Sequence, residues 1–122
     1  MVILQKLLEK ILGEIYKLEP EQYSPASDST NVSLSTYNSC YVIGRICILN
    51  LNLQTTGSIA SGGNMVKNLP HPIGRVTACI TTGQPSGKVA NVRITTAGIM
   101  QADGAISTNA WYSGTIVYVT AS

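Results

Sequence analysis

Residues 41–54, Tyr41-Val42-Ile43-Gly44-Arg45-Ile46-Cys47-Ile48-Leu49-Asn50-Leu51-Asn52-Leu53-Gln54, decide the fold class. Cys47, Leu49, Leu51 and Leu53 alternate with Asn50, Asn52 and Gln54. That period of two puts apolar side chains on one face of a strand and amides on the other. Downstream, Arg75 to Thr82 reads as a strand. So does Val89 to Thr95, where Val92 and Ile94 oppose Asn91, Arg93 and Thr95. Ala97 to Met100 is a short strand, Gln101 to Gly104 a turn, and Trp111 to Thr120 the closing strand. Between them lie Thr55-Thr56-Gly57, Ser61-Gly62-Gly63-Asn64 and Gly83-Gln84-Pro85-Ser86-Gly87, all turn chemistry. Met65 to Leu69 leads into Pro70-His71-Pro72, whose prolines have no place in a central strand. Short strands divided by frequent turns predict a mainly β domain over 40–122, an antiparallel sandwich whose connections need no helix.

Upstream the pattern changes. Leu4, Leu8, Ile11, Ile15 and Leu18 recur at alternating steps of four and three, the seam of a coiled coil, and Leu7 and Leu12 widen it. A broad stripe suits a trimer or larger bundle better than a dimer. Pro20 ends the helix. So short a seam is marginal in isolation and needs help from the domain it carries or from a partner. A single amphipathic helix packed on its own domain is the alternative. Lys6, Glu9, Lys10, Glu14 and Lys17 interrupt the apolar run, so it is neither a signal-peptide core nor a membrane span. Residues 21–39, rich in Ser, Thr and Asn, form a polar linker with a first strand at Val32 and Leu34. The expected organisation is therefore 1–20 helix, 21–39 linker and 40–122 β head.

Composition narrows the chemistry. Charged residues are 11% of the chain, and half of them fall in the first 21 residues, against roughly 25% for typical soluble domains. A surface of Ser, Thr, Asn and Gly suits a virion or extracellular protein, or a domain whose faces are buried between subunits. A net charge of +2 with no run of Lys or Arg argues against nucleic-acid binding. Cys40, Cys47 and Cys79 are an odd number with no Cys-x-x-Cys pair, which predicts no disulfide framework. Cys47 and Cys79, within apolar runs, are expected to be buried thiols.

Catalysis has few candidate groups. From residue 22 onward the chain has one histidine, His71, the aspartates Asp28 and Asp103, and no glutamate. A hydrolase needs a base with a nucleophile, or paired carboxylates, so no catalytic residue, metal or cofactor is expected. Binding chemistry remains. Trp111 and Tyr112, after Asn109, form a candidate aromatic platform for a sugar ring, the alternative being a core or interface role. Arg75 and Arg93 are candidates to clamp a phosphate-bearing polymer such as teichoic acid, or else solvated strand residues. His71 is a candidate rim group.

Read in order, several passages resemble a known family. They are the run from Tyr41 to Leu53, the Ile59-Ala60-Ser61-Gly62-Gly63 turn, Leu69-Pro70, Val92-Arg93-Ile94-Thr95-Thr96-Ala97-Gly98, and Tyr112-Ser113-Gly114-Thr115-Ile116-Val117-Tyr118. Together they resemble the C-terminal head domains of tail-fibre and baseplate receptor-binding proteins from phages and prophages of Gram-positive bacteria. The resemblance implies a jelly-roll-like sandwich, a homotrimer on a coiled-coil stalk, located in the virion. It implies a non-catalytic head that binds host cell-surface polysaccharide or teichoic acid, in company with other virion proteins and without membrane or nucleic acid. That family has no fixed binding motif, so no site residue is carried over. Its members are longer, with an attachment region before the stalk. A structural virion protein, such as a head fibre or capsid decoration anchored by its helix, is the alternative expectation.

Overall fold

The computed structural model describes residues 2–17, 19–83 and 87–121, apart from the side chains of 13–17. Leu18 and residues 84–86 of the expected 83–87 turn lie outside the described residues, as does the Ile15 side chain. Helix α1 (Val2–Lys17) is followed by β1 (Glu21–Tyr23), β2 (Ala26–Ser27), β3 (Val32–Leu34), β4 (Ser39–Ile43) and β5 (Ile46–Thr55). Then come β6 (Asn64–Lys67), β7 (Val76–Thr82), β8 (Val89–Ile94), β9 (Met100–Ala102) and β10 (Trp111–Val119). The protein is mainly β and antiparallel, as the alternation predicts. Residues 21–39 contribute three strands of their own.

All strands join one sheet in the order β1-β4-β5-β10-β7-β8-β9-β6-β2, with β3 also on β5. In place of two separate layers, one sheet curls on itself. Leu49, Leu51 and Ile116 on one half and Ile80, Val92, Ile94 and Met100 on the other belong to a single core. The curl brings the end strand β2 back towards β3, where the Ser27 hydroxyl donates to the Val32 carbonyl at 2.6 Å.

The stretch 41–54 is not one strand. Gly44, at φ 63°, turns the chain with Arg45, and Ile43 faces Ile46 across a two-residue hairpin. A positive φ at the first turn position is what glycine supplies. Gln101 and Ala102, expected in a turn, continue β9 by pairing with Arg93 and Val92. β5 is the most extensively paired strand. β10 runs along one edge through nine register pairs, while β4 and β3 divide the other. Between β4 and β3 the Asn38 side chain stands in for backbone. Its Oδ1 accepts from Asn52 N at 2.8 Å and its Nδ2 donates to Asn52 O at 2.7 Å.

The loop 68–73 lies against the end of β10. Ile73 N donates to Val119 O at 3.0 Å and Ala121 N to His71 O at 2.8 Å. Pro72 sits opposite Thr120, the position where a missing N–H is not needed by the neighbouring strand. Gly98 holds the other side of this loop. It has φ 75°, its carbonyl accepts from Leu69 N at 3.1 Å, and any Cβ on it would run into the Leu69 carbonyl. Gly98→Ala is therefore expected to cost about 2–4 kcal/mol in urea unfolding, from left-handed strain plus overpacking. Gly74→Ala, with open space around it, should change stability by less than about 0.5 kcal/mol. Equal effects of the two would contradict this packing.

Candidate functional site

The sheet has two poles, set by register. At one, β4 turns into β5 at Gly44–Arg45 and β10 ends at Val119, opposite Ile46. Glu21, opposite Val42, brings the chain in from α1 at this same pole. At the other, Trp111 pairs with Gln54 and Tyr112 with Thr82. Eight residue steps of extended strand separate the poles, about 27 Å.

At the far pole the expected aromatic pair is split. Trp111 is 49% exposed and Tyr112 only 2%, because consecutive strand residues point to opposite faces. Tyr112 packs in the core, and its hydroxyl donates to Thr108 O at 3.4 Å. Asn109 is exposed in the loop before β10. That loop is pinned by Thr55, whose hydroxyl donates to Thr108 O at 2.7 Å and whose Oγ1 accepts from Ala110 N at 3.1 Å. Beside it opens a shallow cleft of about 160 Å³, whose lining includes Lys88, Asn91, Ser107 and Thr108. One ammonium, one amide and two hydroxyl side chains make this a polar, hydrogen-bonding surface.

The near pole has a larger cleft of about 550 Å³ between β1, β4 and the loop 68–71. Glu21, Tyr23, Asn68 and His71 line it, over Val42, Leu69 and Thr120. Sequence alone gives His71 no acidic companion, since Glu21 is fifty residues away. Burial, and then the Glu21 carboxylate, push the Tyr23 phenol above its ordinary value, so it stays a hydrogen-bond donor at neutral pH. The loop is held from beneath by the buried Tyr118 hydroxyl, which donates to Pro70 O at 2.8 Å.

Arg75 and Arg93 do come together, but on Asp103 rather than around an open anion site. Asp103 Oδ1 accepts from Arg75 Nη2 at 3.2 Å and Arg93 Nη1 at 3.3 Å. The network continues sideways across the sheet. Arg93 Nε donates to Gln101 at 3.0 Å, Gln101 Nε2 to Asn64 at 3.0 Å, and Asn64 Nδ2 to Asp28 at 3.1 Å. Arg93 is thereby committed within the fold, and Arg75 keeps a side chain 56% exposed.

No family model and no curated protein sequence matches this chain. Among the described residues no group of three or more His, Cys, Asp or Glu side chains is placed to hold a metal ion. No described helix is long and apolar enough to cross a membrane.

The cysteines divide differently from expectation. Cys79 is exposed, its sulfur 3.1 Å from Asn91 Oδ1, because Ile80 and Thr82 take the inward positions of β7. Cys40 and Cys47 are both buried, with sulfurs 3.7 Å apart. The hydrogen bond with Cys40 lowers Cys47 against the opposing effect of burial. The same contact, followed by burial, raises Cys40. Since burial blocks reagent access, Ellman's reagent should titrate one thiol rapidly in the native reduced protein and three after unfolding. Rapid reaction of two or three native thiols would contradict the buried pair.

Proposed function

We propose that the chain is a non-catalytic attachment module: a β head on a trimeric coiled-coil stalk, presenting its far pole to host cell-surface saccharide. The carrying observation is the polarity of the molecule. The exposed helix joins one pole, and the exposed Trp111 and Asn109 lie at the other. A stalked head meets its target with the pole remote from the stalk. The aromatic face of Trp111 suits a sugar ring. The Asn109 amide suits its oxygens. At the same pole the cleft lined by Asn91, Ser107 and Thr108 offers further hydrogen-bonding groups, and Lys88 there suits a phosphate of a teichoic-acid type polymer.

The helix supports the stalk. Every described side chain of α1 is exposed, including Ile3 at 85% and Leu4 at 64%. Burying a leucine or isoleucine side chain is worth about 1.5–3 kcal/mol. A helix of 16 residues, about 24 Å long, is marginal on its own in water. A seam of Leu4, Leu8 and Ile11, widened by Leu7 and Leu12, is buried when copies associate. Assembly into a virion fibre and a jelly-roll-like arrangement of the head belong to the same proposal.

Binding of the labelled full chain to walls of Gram-positive bacteria, and to teichoic acid purified from them, tests it. Trp111→Ala should weaken binding about 10-fold or more, on the scale of a lost aromatic contact, with little change in melting temperature. His71→Ala, at the stalk pole, should bind within about twofold of wild type. No soluble saccharide should be released over time. Undiminished binding by Trp111→Ala would overturn the far-pole site. Absence of binding by the wild type to any wall would favour a structural decoration role.

A further inference from the structure

The outer face of the sheet has two characters. Over β8, β9 and β6 it carries the Arg93–Gln101–Asn64 network, a solvated polar surface. Over β4, β5 and β10, at the stalk pole, it is apolar in two cross-strand rows. Tyr41, Ile48 and Val117 form one row by register, and Ile43, Ile46 and Val119 the next. Val117 is 59% exposed. Ile73, 65% exposed, extends the second row beyond Val119. Isolated surface apolar residues are ordinary, but a contiguous patch on a charge-poor domain marks a contact surface.

We infer that this patch is where a second copy of the chain docks, head against head, beside the stalk. The inference rests on the stalked-oligomer reading and says which face of the head the assembly covers. Three features point to a copy of the chain as the occupant. First, neither row contains an ionisable group other than the Tyr41 phenol. Copies arranged around a threefold axis bring together the surfaces nearest that axis, so a neutral apolar patch there avoids like-charge repulsion without needing paired charges.

Second, the patch ends on a polar row that needs nothing from a partner. Asn50 Nδ2 donates to Ser39 Oγ at 3.0 Å, and Thr115 Oγ1 donates to Asn50 Oδ1 at 2.8 Å. An apolar centre with a polar rim is the anatomy of a protein interface. Third, the tether is short. From Lys17 to Glu21 the chain spans at most about 14 Å, and β5 lies two strand spacings from β1, about 10 Å. Copies joined through α1 therefore hold their stalk poles close together.

Short-range cysteine cross-linking of the full chain tests this. In a Cys79→Ser background, which leaves Cys40 and Cys47 buried, Val117→Cys, Leu8→Cys and Lys67→Cys are each treated with a short bismaleimide. Lys67 is exposed on β6, in the other half of the sheet, and serves as control. Covalent multimers are expected from Leu8→Cys and Val117→Cys, with at least a tenfold lower yield from Lys67→Cys. Multimers from Leu8→Cys without any from Val117→Cys would overturn the docking face and leave the stalk standing. Multimers from neither would overturn the stalk as well. Adding Ile48→Lys to Val117→Cys should abolish that cross-link while the cross-link of Leu8→Cys carrying the same Ile48→Lys persists. Survival of the Val117 cross-link would count against apolar docking.

Discussion

The head depends on β5 being paired along both edges while its inward face is apolar from Cys47 to Leu53 and ends on the buried Thr55. Cys47, Leu49, Leu51 and Leu53 point into the core, and each is no more than 3% exposed. A slip of one residue would turn all four outward and bring Asn50 and Asn52 in, so the register with β10 and with the β4 hairpin is fixed by solvation. Everything else is placed relative to that strand. β10 carries the curl across to β7, and Asn38 lets β3 and β4 share an edge without leaving Asn52 unpaired. The two poles are simply the two ends of β5 and β10.

That same alternation was readable in the sequence, which is why strands at 76–82, 89–94 and 111–119 stand close to where the pattern puts them. The hairpin at Gly44–Arg45 was harder because both of its arms are apolar. Its signal is a change of parity. Val42 and Cys47 are both buried, which a single straight strand forbids since they sit at odd separation. Parity also separates Trp111 from Tyr112 and exposes Cys79 beside buried Ile80. Local apolar density, taken alone, misplaces both Tyr112 and Cys79.

The clefts were less legible for a different reason. Glu21 and His71 line one cleft through β1 pairing with β4 and through the loop 68–71 folding onto the end of β10, both long-range events. Arg75, Arg93 and Asp103 meet because β8 pairs with β9, and Asp103 then follows β9 directly. Sequence supplied the right residue types for anion recognition, but the fold spends much of their capacity on one another.

A lone chain in this conformation leaves α1 solvated on every described side, at odds with the physics that makes short helices in water. The sedimentation-equilibrium mass of the full chain across a micromolar concentration series tests that point most directly. Three chains per particle, dissociating only on dilution, is the result this account predicts. A particle of 12.9 kDa, one chain, at every concentration would contradict it.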